Sequence, residues 1–94
     1  MLNKVNLIGK LKEDIYIKKQ NGEEVGILRL EIVDDSGKTN VFDCQLPSKK
    51  ASNIFKMYGA GTMIEVKGRL QIAKDEELNT NYLEIISEEV TPLK

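Results

Sequence analysis

The chain has 94 residues, of which 40% are hydrophobic and 31% are charged. This composition is typical of an ordinary globular domain and excludes a disordered tail. Because a second domain could not bury its own core at this length, we expect a single domain over residues 1–94. The 14 basic and 15 acidic residues give a net charge of −1, so any nucleic-acid site must come from a local cluster of cations.

The short apolar runs and the single cysteine indicate the cellular compartment of the protein. Lys4 and Lys10 enclose only five residues, so we expect neither a signal peptide nor a membrane-spanning segment. Cys44 is the only cysteine of the chain and cannot form an internal disulfide. This favours the reducing cytoplasm.

Alternating apolar and polar residues predict five β-strands. They are Leu2–Leu11 with a continuation through Ile17, Val25–Val33, Thr39–Leu46, Met63–Ala73 and Tyr82–Val90. Asn21-Gly22 is predicted to close a hairpin between the first two strands, because both residues tolerate positive φ. A second tight turn is predicted from Asp34 to Gly37, and a polar loop over residues 74–81.

Between the third and fourth predicted strands the spacing of apolar residues changes to that of a helix. The residues at helical spacing are Ala51, Ile54, Phe55 and Tyr58. This spacing predicts an amphipathic helix of about two turns that begins at Pro47-Ser48 and ends at Gly59. The face that carries these apolar residues is expected to be buried.

Two glycines predict that the sheet curls. Gly9 and Gly68 lie in otherwise continuous β patterns, which marks a bulge or a sharp bend. The residues predicted to point inward beside Gly68 are Ile64, Val66, Leu70 and Ile72. Five bent strands with one helix between the third and fourth follow the order of an all-β, Greek-key OB-fold barrel. An SH3-like barrel would lack the helix at that point, and a ferredoxin-like fold would need two.

Motifs along nearly the whole chain, Leu2 to about Val90, resemble the bacterial single-stranded DNA-binding protein family. They are Asn3-Lys4-Val5, Leu7-Ile8-Gly9, Leu11, Asp14, Asn21-Gly22, Val25, Lys49, Ala51, Gly61 and Val66-x-Gly68-Arg69-Leu70. The resemblance implies an OB-fold that assembles into dimers or tetramers and binds single-stranded DNA in replication, repair or transfer. In the family, stacking aromatics and a basic groove hold the DNA.

The candidates for DNA contact are six cations and two tyrosines. Lys4, Lys18, Lys49 and Lys74 match cationic positions of the family, and Arg29 and Arg69 point outward on the second and fourth predicted strands. Tyr16 and Tyr82 are the remaining candidates for base stacking. Each tyrosine is out of phase with the apolar face of its strand, so it is available either for base stacking or for packing at a dimer seam or barrel rim. The acidic residues Glu31, Asp43 and Glu65 would dilute a basic groove.

The sequence departs from the family at the stacking positions. Val41, Pro47 and Asp75 stand where the resemblance places aromatic residues, and Asp43 replaces a basic residue. The loss of each stacking platform removes about 1–3 kcal/mol per base. We therefore expect weaker DNA binding than the family standard.

The end of the chain also differs from the family's cellular members, which carry a flexible linker and an acidic tip that recruits replication proteins. Here the chain stops at Leu93-Lys94, directly after the last predicted strand. The resemblance leaves open a shortened chain or a tail-less relative, such as the primosomal replication protein or a phage or plasmid member.

The residue types present argue against an enzyme. The chain has no histidine and a single cysteine, so neither a zinc site nor a His-activated nucleophile is expected, and no cofactor is implied. Two hypotheses remain. One is a single-stranded DNA-binding protein that works mainly through phosphate contacts. The other is an OB-fold protein-interaction module of a replication assembly with little DNA affinity.

Overall fold

The computed structural model describes residues 1–93, apart from the side chains of Phe55 and Lys56. The predicted place of Phe55 on the buried side of the helix therefore lies outside the described residues. In this part of the chain, six strands and one helix follow one another. They are β1 (Val5–Leu11), β2 (Tyr16–Gln20), β3 (Glu23–Val33), β4 (Thr39–Pro47), α1 (Ser48–Met57), β5 (Met63–Asp75) and β6 (Thr80–Leu93).

The strands form a sheet that closes on itself. Its order is β1-β5-β6-β4-β3-β2, and a further pairing of β1 with β3 completes a ring of five strands. All pairs are antiparallel except β4 with β6, which run parallel and place Cys44 opposite Ile85. This is the all-β OB-fold barrel that the sequence predicts.

The first predicted strand is divided into β1 and β2. The helix therefore lies between β4 and β5 of the structure, rather than between a third and a fourth strand. The bend between β1 and β2 is fixed from two sides. The Lys12 amide donates to the Arg29 carbonyl at 3.0 Å, and an Asp14 carboxylate oxygen accepts from the Ala60 amide at 2.8 Å, in the loop after the helix. These contacts stop the strand from continuing straight into β2.

The hairpin of β5 and β6 is longer than predicted. Half of the segment expected to be a loop at residues 74–81 is strand, because β5 runs to Asp75 and β6 begins at Thr80. Leu70 and Ile72 were predicted to point into the core, but they are 38% and 64% exposed. That prediction is wrong because β6 pairs with β4 only near Ile85. Beyond that point the hairpin projects past the barrel and has no opposite wall.

The core fills the inside of the closed barrel. Its buried residues are Leu11, Ile15, Leu28, Leu30, Cys44, Leu46, Ala51, Ile64 and Val66. Burial in this cluster raises the pKa of the Cys44 thiol to about 12. The helix closes one end of the barrel, where Ala51 is fully buried and Ile54 packs against the core. Among residues 1–93, no helix is long and apolar enough to cross a membrane.

Two local backbone predictions are confirmed. Asn21 and Gly22 both have positive φ, at 51° and 82°, and close the turn between β2 and β3. The pairing of β5 with β6 shifts register between Lys67 and Gly68. At Gly68 a Cβ would collide with the carbonyl oxygen of Ile86, so the bulge depends on the absence of a side chain.

Candidate nucleic-acid interface

A continuous depression, which we call the groove, crosses strands β2, β3, β4 and β6. It has three adjoining parts, which we call the Arg29 end, the middle cavity and the Lys74 end. Neighbouring parts share lining residues, namely Asp43, Leu83 and Ile85 at one junction and Lys18, Gln20 and Tyr82 at the other. A single strand could therefore follow the groove without leaving the surface of the barrel.

At the Arg29 end, the guanidinium is bound by two carboxylates. Its Nε and Nη2 donate to the two oxygens of Asp43 at 2.7 and 3.0 Å, and its Nη1 donates to Glu13 at 2.8 Å. The hydrogen bond and charge of Asp43 raise the pKa of Arg29, and the same hydrogen bond lowers the pKa of Asp43. The guanidinium carbon also lies 6.0 Å from the centre of the Tyr16 ring. Most donors of Arg29 are thus engaged within the protein.

The middle cavity holds a buried carboxylate among side-chain amides. Glu84 is only 7% exposed. Its Oε2 accepts from Gln20 Nε2 at 2.8 Å and, through a shorter contact, from Gln45 Nε2, while its Oε1 accepts from Gln71 Nε2 at 3.3 Å. Among the side chains that the structure describes, no lysine or arginine lies within 4.0 Å of this carboxylate. The amides therefore compensate for its loss of water.

The Lys74 end has the largest volume of the three parts of the groove, about 650 Å³. Lys18 and Lys74 line it together with the acidic residues 75–77 of the hairpin turn. Neither lysine forms an ion pair within the described part of the chain. Both ammonium groups are therefore available to a phosphate, although the nearby carboxylates reduce the positive potential.

Tyr82 lies where the middle cavity meets the Lys74 end. Its hydroxyl oxygen accepts from Gln20 Nε2 at 2.8 Å, and the residue is 37% exposed. Loss of solvent, followed by the charges of Glu84 and Asp75, raises the pKa of Tyr82. The phenol therefore stays neutral at physiological pH, and part of its ring remains accessible to a base.

Three of the candidate cations lie outside the groove. Lys49 lines a separate depression of about 380 Å³, next to the two glutamates that begin β3. Arg69 is on β5, with its Nε 3.9 Å from a Glu88 carboxylate oxygen. Lys4 is exposed in the segment before β1. Of the predicted site residues, the groove thus brings together Lys18, Arg29, Lys74 and Tyr82. Tyr16 lies beside the groove, next to the Arg29 guanidinium.

The three positions that lack aromatics now have defined surroundings. Val41 is 42% exposed at the Arg29 end of the groove. Pro47 lines the same depression as Lys49. Asp75 organises the hairpin turn, where its Oδ1 accepts from the amides of Glu77 and Leu78 at 3.0 and 3.1 Å. Of these three positions, only Val41 therefore presents an apolar surface inside the groove.

Sequence reasoning missed the amide cluster around Glu84. The alternation of β4 places Gln45 on the same face as Val41 and Asp43, and this much was visible in the sequence. The contact between Gln45 and Glu84 depends on the parallel pairing of β4 with β6. No local sequence pattern predicts that pairing. In addition, cations and aromatic rings are the residue types that indicate a nucleic-acid site, whereas side-chain amides are not.

Comparisons with known proteins agree with this fold. The single-strand binding protein family model matches residues 2–93. The chain is similar to the wild-type single-stranded DNA binding protein from Thermus aquaticus, with a TM-score of 0.78 and 24% identity, over 99% of this chain and 50% of that chain. A deletion variant of the same protein gives a TM-score of 0.74 and 23% identity, over 99% and 51%. The chain thus spans about half the length of these solved chains, and no curated protein sequence matches it.

Proposed function

Because the chain belongs to the single-strand binding protein family, we propose that it binds single-stranded DNA with little sequence preference. The observation that carries this proposal is the match of the family model over residues 2–93. The barrel shared with the Thermus aquaticus single-stranded DNA binding protein supports it. We extend the proposal to DNA replication, repair or transfer in the cytoplasm, alongside replication proteins. Family membership also supports the expectation of a binding protein rather than an enzyme.

The groove supplies both kinds of contact that single strands need. Lys18 and Lys74 would attract phosphates, since both are exposed in the groove and form no ion pair within residues 1–93. Tyr82 offers an accessible ring, and Leu83 and Val41 offer apolar surfaces that are 60% and 42% exposed. Bases would therefore contact one ring and mostly aliphatic side chains, and phosphate contacts would supply most of the affinity.

A titration with labelled single-stranded DNA of mixed sequence, at two salt concentrations, tests the proposal. If Lys18 and Lys74 each contact a phosphate, the logarithm of the binding constant should fall with the logarithm of the salt concentration with a slope of about −1.4. A duplex of the same sequence should compete poorly. Absence of binding to the single strand at low salt would refute the proposed function.

One observation favours the alternative, a protein-interaction module. Leu70, Ile72 and Leu83 form an exposed apolar surface on the projecting hairpin, where Ile72 lies directly opposite Leu83. A surface of this kind would suit a protein partner. The same titration separates the two functions, because a module of this kind would leave the DNA unbound at low salt.

We also propose that the protein forms a homo-oligomer, as is typical of its family. Strand β1 pairs with β5 along one edge, whereas only Lys10 and Leu11 pair with β3 along the other. The segment Val5–Gly9 therefore offers an open edge to a second copy. The outward side chains of this segment are exposed, and Ile8 is 49% exposed.

A further inference from the structure

The middle cavity is the most enclosed part of the groove and has a volume of about 250 Å³. This is enough for a single pyrimidine ring. Ile27, which is 3% exposed, contributes an apolar surface to it, and Leu83 and Ile85 add two more. Tyr82 and Lys18 also line the cavity, where it opens towards the Lys74 end. A base that entered here would meet apolar surface and a ring, with a cation near its phosphate.

The polar part of the cavity is rich in hydrogen-bond acceptors. A carboxylate offers about four acceptor positions, and Glu84 uses three of them for the amides of Gln20, Gln45 and Gln71. The carbonyl oxygen of Gln45 accepts no hydrogen bond from the described side chains, and Asp43 adds a second carboxylate to the lining. The cavity therefore presents oxygen acceptors to a ligand and has one exposed cation, that of Lys18.

We propose that the middle cavity is a nucleobase subsite that selects bases with an exocyclic amino group, cytosine above all, over thymine and uracil. The reason is complementarity, since a carboxylate accepts from the N4 amino group of cytosine. Thymine and uracil present a carbonyl oxygen at the same ring position, which would face Glu84 and the Gln45 carbonyl without a hydrogen. This inference rests on the proposed function and adds a modest base preference to it at one position.

Homopolymers of deoxycytidine and deoxyuridine test the preference. Both bases lack the methyl group of thymine and differ along one edge, where cytosine has an amino group at position 4 beside an unprotonated N3, and uracil has a carbonyl oxygen beside an N3–H. We expect short oligo-dC to bind the unmodified protein roughly threefold to tenfold more tightly than oligo-dU, the effect of about one hydrogen bond. Equal affinity for the two, or tighter binding of oligo-dU, would overturn the inference.

A variant then locates the preference. Glu84→Gln keeps the shape of the side chain, replaces one carboxylate oxygen by a donor, and should reduce the dC-to-dU ratio to about one. Glu89→Gln is the matched control, because Glu89 is exposed on the same strand opposite Lys67 and outside the groove. It removes the same charge and should leave the ratio unchanged. If the ratio persists in folded Glu84→Gln, the preference does not come from this cavity.

The experiment distinguishes failure of the subsite from failure of the proposed function. Binding of both homopolymers with equal affinity would remove the subsite and leave the DNA-binding function intact. Binding of neither would remove the function itself. The comparison in the unmodified protein decides the base preference even if the Glu84 variant does not fold, which its circular dichroism spectrum would show.

Discussion

Arg29 lies in the groove, but its guanidinium already binds two carboxylates. Asp43 accepts two hydrogen bonds from it and Glu13 accepts a third. A phosphate that approached Arg29 would have to displace one of these partners or bind near uncompensated negative charge. The sequence predicts Arg29 as a DNA-binding cation, and the structure shows its guanidinium paired with two carboxylates of the same chain.

Replacing Asp43 by asparagine should therefore tighten binding to single-stranded DNA. The variant keeps the size of the side chain, removes one negative charge and frees donors of Arg29 for a phosphate. We expect an increase in affinity of roughly threefold to tenfold, about the value of one charge-assisted contact. The salt slope should steepen by about 0.7. Both are measured by the fluorescence titration used for the unmodified protein.

Asp35→Asn is the control for this experiment, because it removes the same charge from an exposed turn outside the groove. Equal gains in the two variants would mean that net charge, not release of Arg29, causes the effect.

The stability of the Asp43→Asn variant gives a second test of the ion pair. The hydrogen bond from Arg29 lowers the pKa of Asp43 below 3.8, so the ion pair stabilises the fold above that pH and is lost as pH falls through the lowered pKa. The gap in melting temperature between wild type and Asp43→Asn should therefore close in acid.

The positions of the lysines predict unequal contributions to binding. Lys18 lines the middle cavity and the Lys74 end, whereas Lys49 lies in a separate depression beside two glutamates. Lys18→Ala should weaken binding to all sequences and reduce the magnitude of the salt slope by about 0.7. Lys49→Ala, the matched variant, should change both quantities less. A larger effect at Lys49 would show that the DNA leaves the groove and passes over the helix start.

At the scale of secondary-structure elements, the sequence predicted strand ends well where an alternating pattern is followed by turn-forming residues. The hairpin at Asn21-Gly22 is an example, because its conformation depends on two adjacent residues. The inward pattern of β5 predicted the burial of Val66 but failed at Leu70 and Ile72. Alternation shows which residues share a face, and the extent of the opposite wall depends on where β4 and β6 stop pairing.

The candidate site was less predictable than the fold for the same reason. Tyr82 and Lys18 could be selected from residue type and phase alone, and both lie in the groove. The neutralisation of Arg29 depends on its position opposite Asp43 in the pairing of β3 with β4, and on the approach of Glu13. The sequence indicated that Asp43 would dilute a basic groove, but no local motif could show that Asp43 binds the Arg29 guanidinium directly.

The bulge in β5 gives a prediction for an element. Gly68→Val should destabilise the protein by about 1–3 kcal/mol, because the new side chain would collide with the Ile86 carbonyl and crowd the Ser87 backbone at the register shift. For a domain of this size the melting temperature should fall by at least several degrees, or roughly 4–8 °C per kcal/mol. Lys67→Val is the control, since Lys67 is exposed on the adjacent position. An unchanged melting temperature for Gly68→Val would show that the barrel tolerates a Cβ at the bulge.

At the scale of the whole molecule, the barrel closes but leaves strand edges at both ends of the sheet order. β2 pairs with β3 alone, and the Val5–Gly9 segment of β1 pairs with β5 alone. β2 ends in a tight turn and carries two adjacent lysines on this short strand, which discourages further pairing. The β1 segment carries Asn6 and the exposed Ile8 instead. Of the two edges, β1 is therefore the better surface for a second copy.

Ile8→Asp tests this assembly. In a symmetric pair of β1 strands each contact is made twice across the two-fold axis, so aspartate at position 8 would place two charges in the seam and remove apolar contact from both copies. Light scattering at tens of micromolar should give a dimer or tetramer for the unmodified protein and a smaller species for Ile8→Asp. Ile17→Asp is the matched control, because Ile17 is 41% exposed on the other edge strand, and it should leave the mass unchanged. A monomer for the unmodified protein, or loss of assembly only in Ile17→Asp, would exclude pairing through β1.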